Sequence, residues 1–102
     1  MPTVFQKKVW QYCRKIPKGK ITTYRLLAKA INKPKAFRAA GNALNKNPYA
    51  PKVPCHRVVK SDGQVGGFAK GKKKKILFLK KEGFEFTGDK ILKFKKHLFS
   101  FS

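Results

Sequence analysis

The stretch ITTYRLLAKAINKPKAFRAAGNALNKNP, residues 21–48, contains two helical patterns with a proline-containing break between them. The first pattern has apolar side chains at i, i+3, i+4 and i+7, namely Tyr24, Leu27, Ala28 and Ile31. The second pattern repeats this spacing at Phe37, Ala40, Gly41 and Leu44. Thr22 or Thr23 can cap the first helix, residues 32–34 end it, and Pro34 suits the opening turn of the second. Two short amphipathic helices joined by a break of three or four residues predict a helix-turn-helix.

The second of these helices is unusually rich in small residues. Four alanines and one glycine fall within residues 36–43. Because glycine inside a helix costs about 1 kcal/mol relative to alanine, Gly41 indicates that a neighbour approaches the helix closely. That neighbour is either another helix packed tightly against this one or the backbone of a nucleic-acid groove, and the pattern leaves both open.

Amphipathic patterns flank this region on both sides. Residues 3–16 have apolar side chains along one face, and Pro17 and Gly19 end that pattern. Residues 72–81 predict a further helix, for which Gly83 is a natural stop. The four consecutive lysines at its start are typical of a solvated helix face.

The remaining segments predict a little β-structure and a last helix. Residues 57–65, with an Asp-Gly turn in the middle, predict a small hairpin, and residues 84–86 suit a strand. A last helix is expected over residues 89–99, with these side chains facing inwards: Ile91, Phe94 and Leu98. The predicted fold class is mainly α with a small β hairpin, as a single domain over residues 1–102 whose basic C-terminal helix or tail begins at about residue 88.

The charge of the chain is far from ordinary. Lys and Arg number 26 against 4 Asp and Glu, which gives +22 over 102 residues. Such an excess raises the affinity for a polyanion through counterion release, and a nucleic acid is favoured over an anionic lipid surface. No apolar signal region and no stretch long enough to span a membrane is present in the sequence, so we expect a cytoplasmic protein.

The two cysteines call for different interpretations. They are too few for a disulfide framework, so we expect free thiols in a reducing compartment. No Cys-x-x-Cys and no His pair at helical spacing occurs, so no metal site is expected. Cys13 lies on an apolar helix face and is interpreted as a core residue.

Cys55 has a different setting, directly after Pro54 and before His56 and Arg57. Nearby cations favour the thiolate, which is the reactive form of cysteine. Glu82 is one of only 4 acids in the chain, and beside His56 it would complete a set of nucleophile, base and orienting group. The ordinary alternative for Glu82 is a solvated residue at a helix end.

Four segments now make the sequence recognisable: ITTYRLLAKAI, PKAFRAAGNALNKNP, VPCHRVVKSDGQVGGF and LKKEG. In this order they resemble the DNA-binding and active-site domain of the O6-alkylguanine-DNA alkyltransferases, over residues 5–83. The resemblance implies a winged-helix-like helix-turn-helix domain of the alkyltransferase C-terminal type. It also implies binding of double-stranded DNA carrying O6-alkylguanine, extrusion of the damaged base, and irreversible single-turnover transfer of the alkyl group to a cysteine. We expect a monomer without a cofactor, associated with the nucleoid of a prokaryote.

The resemblance implies a role for each residue that matches the catalytic motif. Cys55 matches the acceptor thiol, His56 the base that acts through a water, and Glu82 the residue that orients the histidine. Asn47 matches the turn residue that ties the DNA-reading helix to the active-site segment. Tyr24 matches the phenol that donates to guanine N3 as the base leaves, although its ordinary alternative is a core position at the start of an apolar helix face.

A second set of matching residues faces the DNA or the extruded base. Arg38 matches the finger that fills the gap in the duplex, and its ordinary alternative is a phosphate contact or a solvated side chain. Further residues expected at the DNA are Thr23, Lys35, Ala39 and Gly41. The expected pocket wall consists of Val58, Gly66, Gly67, Phe68 and Ala69. The last two depart from the family, which often has tyrosine and a hydroxyl residue there, so weaker contacts to the base are expected.

Two other functions compete with alkyl transfer. An alkyltransferase-like damage-sensing protein would bind damaged DNA without efficient transfer, but such relatives typically replace the acceptor cysteine. A basic nucleoid packaging protein would explain the charge and would leave Cys55, His56 and Glu82 without a reason. We expect a protein without the N-terminal domain that is usual in the family.

Overall fold

The computed structural model describes residues 2–49, 52–67 and 71–101. Within these residues the chain has four α-helices, two short 3-10 turns and two two-stranded sheets. In chain order they are α1 (Val4–Cys13), β1 (Thr22–Thr23), α2 (Tyr24–Ala30), α3 (Phe37–Asn45), a first 3-10 turn (Cys55–Arg57), β2 (Val58–Val59), α4 (Lys72–Lys81), β3 (Phe86–Thr87), β4 (Lys90–Ile91) and a second 3-10 turn (Phe94–His97). The predicted class, mainly α with a small β hairpin, is confirmed.

Helix α1 begins with a capping box and ends earlier than its apolar pattern. The Thr3 side chain accepts from the Gln6 amide at 3.0 Å, and the Gln6 side chain accepts from the Thr3 amide at 2.9 Å. The α-helix ends at Cys13, and Ile16 N donates to Cys13 O at 3.1 Å in a tighter turn. Proline disfavours helical geometry in the residue before it, which explains why the helix predicted over residues 3–16 stops short of Pro17.

Helices α2 and α3 form the predicted helix-turn-helix with a longer break. Thr23 caps α2, because its hydroxyl accepts from the Leu26 amide at 3.1 Å. Residues 31–36 separate the two helices, where three or four residues were expected. Ala36 N donates to Lys33 O at 2.9 Å and closes a separate turn there. Pro34 therefore lies in that turn and not in the opening turn of α3.

The hairpin predicted over residues 57–65 is wrong, because its two arms pair with other segments and not with each other as a ladder. Its tight turn forms, since Lys60 N donates to Gln64 O at 2.8 Å. However, β2 pairs in parallel with β1, with Val58 opposite Thr22, and Gln64 bridges instead to Lys90. The hairpin of this fold is β3 with β4. Val58 and Val59 are fully buried, which suits a short internal strand better than a solvated hairpin.

The last helix, predicted over residues 89–99, does not form. Lys93 adopts a left-handed conformation with φ 55°, which interrupts a helical run. The backbone beyond it is hydrogen-bonded to Ile21, whose amide donates to His97 O at 2.9 Å and whose carbonyl accepts from Phe99 N at 2.8 Å. Ile91, Phe94 and Leu98 nevertheless pack into the core, as their spacing predicted.

Two apolar clusters make up the interior of the described chain. The first contains Val9, Trp10, Cys13, Ile16, Leu27, Ile31, Ala40, Ala43, Leu44, Val53, Cys55 and Val58. The second contains Ile21, Val59, Val65, Leu79, Phe84 and Ile91. Successive side chains of a strand point to opposite faces, so Val58 enters the first cluster and Val59 the second. Strand β2 thus lies between the clusters and holds the preceding segment, residues 55–57, at their boundary.

No helix in the described part of the chain has the length and apolar character needed to cross a lipid bilayer.

Candidate active site

The segment that carries Cys55 is a 3-10 turn tied down on both sides. Cys55 N donates to Val53 O at 2.8 Å, and Arg57 N donates to Pro54 O at 2.9 Å. Asn47 Nδ2 donates to the same Val53 carbonyl at 2.9 Å, so the end of α3 is linked to the turn. Cys55 is 6% exposed, which leaves its thiol at the edge of the first cluster.

Asn47 also organises the chain after α3. Its Oδ1 accepts from the Tyr49 amide at 2.8 Å, which closes an Asx turn. One side chain therefore fixes both the exit from α3 and the approach to Cys55. Asn47 thus ties α3 to the segment that carries Cys55, and its role in transfer stays a prediction.

Glu82 lies beside His56 at the C-terminal end of α4. His56 Nε2 and Glu82 Oε2 are 2.9 Å apart, and both side chains are largely buried. Phe78 packs edge-on against the imidazole, with ring centroids 5.4 Å apart. A cleft of about 340 Å³ borders this pair and is lined by Lys18, His56, Phe78, Lys81 and Glu82.

Arg57 binds the same carboxylate, which the sequence did not predict. Its Nε donates to Glu82 Oε1 at 2.9 Å, and its Nη2 donates to Glu82 Oε2 at 2.6 Å. Its Nη1 donates to Ile16 O at 2.8 Å, which joins the end of the α1 region to the network. Arg57 was expected only as a charge near the thiol; in the structure the guanidinium is bound to Glu82.

The network fixes which nitrogen of His56 carries the hydrogen. Burial lowers the pKa of His56, although the hydrogen bond and charge of Glu82 oppose this. Burial alone raises the pKa of Glu82, but the hydrogen bonds from Arg57 and His56 outweigh it and hold the pKa below its usual value. An ionised carboxylate only accepts, so Nε2 of the neutral imidazole donates to Glu82 and Nδ1 presents a lone pair. The arrangement can take up a proton on Nδ1.

A second group of residues surrounds the Tyr24 hydroxyl. Tyr24 Oη lies 3.4 Å from Gly67 O and receives a hydrogen bond from Lys75 Nζ at 3.2 Å. Gly66 has φ 73°, and a Cβ there would lie 3.0 Å from the Tyr24 hydroxyl. The loop therefore needs glycine at residue 66 to lie against this tyrosine. Burial raises the pKa of Tyr24 to about 12, so the phenol stays protonated.

Lys75 was expected on a solvated helix face and is instead buried. The lysines before it in α4 are exposed as expected, but Lys75 is 0% exposed. Its Nζ donates to Val58 O at 2.6 Å and to Gly67 O at 3.0 Å. The sequence does contain a signal for this burial. Lys75 precedes buried Leu79 by one helical turn, so the two side chains lie on the same face of α4.

The residues predicted to face DNA differ in their exposure. Lys35, Arg38 and Ala39 are exposed around the start of α3. Thr23 is buried and its hydroxyl caps α2, so the side chain is not free for DNA; a contact of Thr23 with DNA stays a prediction. Gly41 is half-buried, and a Cβ there would lie 3.7 Å from the Tyr24 ring, an ordinary contact distance. No part of the described chain therefore requires glycine at residue 41, and the tight-helix-packing interpretation is wrong.

The expected pocket wall is only partly described. Val58 turns its side chain into the first cluster and its carbonyl towards Lys75, and the Gly66–Gly67 loop lies beside Tyr24. Phe68 and Ala69 were also expected in this wall, and both lie outside the described residues.

Cys13 and Cys55 are free thiols, and burial raises the pKa of Cys13 far above its usual value. Within residues 2–49, 52–67 and 71–101, no three His, Cys, Asp or Glu side chains are grouped to hold a metal ion.

Comparison with known proteins gives matches over most of the chain. A methylated-DNA–protein-cysteine methyltransferase of Methanosarcina barkeri is 49% identical over 80 residues, which are 78% of this chain and 51% of that protein. The bifunctional transcriptional activator/DNA repair enzyme Ada of Escherichia coli is 46% identical over 80 residues, which are 78% of this chain and 23% of Ada. The chain thus spans about half the length of the methyltransferase, and less of Ada.

Solved structures agree with these relatives. The Mycobacterium tuberculosis OGT in complex with DNA matches with a TM-score of 0.78 and 39% identity, over 80% of this chain and 51% of that chain. A second match is S. pombe Atl1 in complex with damaged DNA containing O6-carboxymethylguanine. It has a TM-score of 0.82 and 26% identity, over 98% of this chain and 99% of that chain. The family model for the DNA-binding domain of 6-O-methylguanine DNA methyltransferase matches residues 4–84. The chain belongs to this family.

Proposed function

We propose that this chain repairs DNA by transferring an alkyl group from O6-alkylguanine in double-stranded DNA to Cys55, once per molecule. The observation that carries the proposal is the ordered array behind Cys55. His56 is a neutral base whose Nε2 is held 2.9 Å from ionised Glu82, and it directly follows a cysteine in a fixed turn. A cysteine next in sequence to such a base, with a third group that orients the base, is the pattern of an activated nucleophile.

The reaction begins with loss of the thiol proton. Cys55 gives its proton through a water to His56 Nδ1, and the imidazolium that forms is stabilised by Glu82. The Cys55 sulfur then attacks the alkyl carbon in line with the bond to O6. The new carbon–sulfur bond uses a sulfur electron pair, and the electrons of the broken carbon–oxygen bond stay with guanine. The Tyr24 hydroxyl donates a hydrogen bond to N3 as negative charge develops on the leaving base. The base then takes up one proton from solvent and His56 releases one to solvent, so protons balance, no cofactor is consumed and the thioether has no easy reverse path.

Access to the base requires its extrusion, because O6 and its substituent are hidden inside the stacked duplex. Arg38 is exposed at the start of α3, where a flat cation can occupy the vacated position in the stack. The charge of +22 supports binding to the phosphate backbone. The proposal is of a single domain that carries out both steps as a monomer.

Intact mass before and after incubation with a duplex containing O6-methylguanine tests the proposal. We expect the gain of one methyl group for each protein, located on Cys55 by peptide mapping, with no further turnover. Cys13 is an internal control, since it is equally free but its pKa is raised by burial. Cys55→Ser should lose transfer and keep DNA binding. Label on Cys13, or continued turnover, would contradict the proposal.

A second candidate function is damage sensing without efficient transfer. The match to Atl1 over 98% of this chain favours it, because that match includes residues beyond 84, where the family model ends. The retained Cys55 favours transfer instead. Tight binding of the same duplex with no gain in mass, from a protein whose Cys55 reacts with a thiol reagent, would identify the sensing function.

A further inference from the structure

Lys75 is a buried lysine with no carboxylate beside it among the described residues. Its side chain is 0% exposed, and no carboxylate pairs with it in the described part of the chain. Removing an ammonium group from water is costly unless strong hydrogen bonds replace its hydration. A lysine is therefore an expensive choice for a position that leucine or methionine could fill, and its hydrogen bonds indicate what it does there.

The Lys75 ammonium has three donors and meets three oxygens. Nζ lies 2.6 Å from Val58 O, 3.0 Å from Gly67 O and 3.2 Å from Tyr24 Oη. These acceptors belong to β2, to the glycine loop and to α2. Because an ammonium has three N–H groups and no lone pair, each oxygen takes one hydrogen and the group is saturated. Lys75 thus joins three separate parts of the site wall.

The same geometry sets the direction of the Tyr24 hydroxyl. Its oxygen must accept from the ammonium, which cannot accept in return, so the hydroxyl hydrogen is left for another acceptor. Within the described chain the nearby acceptor is Gly67 O at 3.4 Å, a long contact to an oxygen that already receives Lys75 at 3.0 Å. The phenol hydrogen is consequently weakly held and available to a substrate atom.

We propose that Lys75, as an ammonium ion, is a positioning residue for alkyl transfer that holds the Gly66–Gly67 loop to β2 and turns the Tyr24 hydroxyl hydrogen towards the leaving base. This inference rests on the proposed function, which supplies the substrate. The position of Lys75 rests on its three hydrogen bonds. Lys75 itself does not touch the reacting atoms; it acts through Tyr24 and the loop.

Loss of the Lys75 proton reverses this arrangement. A neutral amine has two N–H groups and one lone pair, so one of the three oxygens loses its partner. The lone pair becomes the best acceptor for the Tyr24 hydroxyl, which then donates to Nζ instead of to the base. Transfer should therefore slow as pH rises through the titration of Lys75.

That titration lies near neutral pH. Burial lowers the pKa of Lys75 from 10.5 to about 7, and the thiols of Cys55 and Cys13 oppose this when they are ionised. The titratable groups that interact with Lys75 are Cys13 of α1, Tyr24 of α2, and Cys55 and His56 of the first 3-10 turn. His56 must be neutral to act as a base, so its titration raises the rate with pH, whereas that of Lys75 lowers it.

The test compares single-turnover rates on free O6-benzylguanine from about pH 6 to pH 9, where duplex binding plays no part. Lys75→Met keeps the length and the apolar stem, and Lys74→Met makes the same change at an exposed position one residue earlier. We expect Lys75→Met to lose about tenfold to a hundredfold at pH 6.5, as for a hydrogen bond to a charged group, and to lose the decline at high pH. Lys74→Met should keep the wild-type profile. A wild-type decline that persists in Lys75→Met would overturn the inference.

Double substitution tests the route through Tyr24. If Lys75 acts by orienting that hydroxyl, Tyr24→Phe combined with Lys75→Met should react no more slowly than the slower single variant. Multiplied losses would mean that Lys75 does not act through Tyr24. Lys75→Arg, whose guanidinium stays charged throughout, should recover activity and remove the decline if the longer side chain is accommodated.

A measurement without substrate separates this inference from the proposed function. In the wild type, the ¹³Cε resonance of Lys75 and the amide resonances of Gly66 and Gly67 should titrate together near pH 7. The glycine titration should be absent in Lys75→Met. If these resonances titrate together but no alkyl group reaches Cys55, the proposed function is wrong and the positioning inference holds for the site wall. If alkyl transfer occurs and the glycines do not follow Lys75, the inference is wrong.

Discussion

His56 and Glu82 are separated by 26 residues in the sequence, and their side chains meet at 2.9 Å. The carboxylate belongs to the residue that caps the C-terminal end of α4, where the helix dipole disfavours a negative charge. Arg57 offsets this with hydrogen bonds to both carboxylate oxygens. The base of the candidate site is therefore held by an anion that is itself held by the residue next to that base.

Glu82→Gln should weaken the base while keeping the shape of the site. The amide can still contact Nε2, but it no longer stabilises an imidazolium. We expect transfer to Cys55 to slow by about tenfold or more, as for loss of a charged hydrogen-bond partner. Glu82 raises the pKa of His56 against the effect of burial, so the rising limb of the rate–pH profile should move to lower pH. Single-turnover rates against pH provide the check, and an unchanged profile would contradict the role of Glu82.

Arg57→Lys should destabilise the fold although it preserves charge. A lysine cannot reproduce the bidentate contact with Glu82 together with the bond to Ile16 O, and we expect a loss of about 2 kcal/mol. The pKa of Glu82 is lowered in the folded state, so its contribution to stability is present above the unfolded value of 4.5 and is lost as pH falls through the folded value. Without Arg57, burial should raise that pKa.

Acid unfolding of Arg57→Lys should consequently begin at higher pH than in the wild type. Thermal midpoints between about pH 3 and pH 7 measure this. Arg14→Lys is the control, because Arg14 is exposed. If the pH at which acid unfolding begins rises equally in both variants, the change from arginine to lysine alone accounts for it, and the contact with Glu82 does not.

Stability and activity should respond to alkaline pH in opposite directions because of Lys75. Its pKa is lowered by burial from 10.5 to about 7, so between these values the unfolded chain binds more protons and the free energy of unfolding rises with pH. The rise should approach about 1.4 kcal/mol for each pH unit between about pH 7 and pH 9. Above 9.0 the unfolded Cys13 thiol ionises while burial keeps the folded thiol protonated, which reduces the slope.

Denaturant unfolding at several pH values tests this linkage. Lys75→Met should show no such rise, and Lys74→Met should keep it. A rise of the same size in Lys75→Met would assign the pH dependence to another group.

Gly41→Ala distinguishes the remaining interpretation of the small residues in α3. The new methyl group would meet the Tyr24 ring at 3.7 Å, so the protein should accept it. Helix propensity then favours the variant by about 1 kcal/mol. If α3 approaches a DNA groove closely at residue 41, duplex binding should weaken by roughly 1 kcal/mol or more through overpacking. Thermal midpoint and duplex affinity are measured on the same variant; tighter or equal DNA binding would exclude close approach there.

Arg38→Ala separates base extrusion from chemistry. The variant should repair duplex DNA much more slowly than the wild type at saturating DNA, because the unstacked base is no longer replaced. Free O6-benzylguanine needs no extrusion, so its rate should be nearly unchanged. Lys35→Ala is the matched control, since an exposed phosphate contact should be compensated by saturating DNA. A duplex rate equal to that of the wild type would exclude the finger role of Arg38.

The helices were predictable because their apolar spacing is local and strong. The range predicted for α4, residues 72–81, is the range observed. The strands were not, because each is two residues long and its partner is distant, as with Val58 opposite Thr22. The segment 89–99 has helical spacing, but hydrogen bonds from Ile21 determine its backbone. Periodicity identifies which side chains face the core and does not identify the backbone partner.

The candidate site, like the fold, was predictable from the sequence only in part. Cys55, His56 and Arg57 are adjacent in the sequence, so their proximity required no fold. That Glu82 joins them was expected from the resemblance and not from any spacing. The burial of Lys75 was missed because four consecutive lysines are typical of a solvated helix face. Only its spacing of one helical turn from Leu79 indicates that it lies inside the protein. Thr23 was expected both as a possible cap and at the DNA; the cap is observed and the DNA contact stays a prediction.

Strand β2 has a consequence for the timing of reactivity. Its two side chains belong to different clusters, so the turn before it acquires its shape only when both halves of the interior are complete. In a nascent or partly folded chain we expect His56 to have no fixed carboxylate and Cys55 to lack its base. On the proposed function, a protein that reacts only once would gain from this order of events. Cys55 would stay dormant during synthesis and become reactive together with the finished fold.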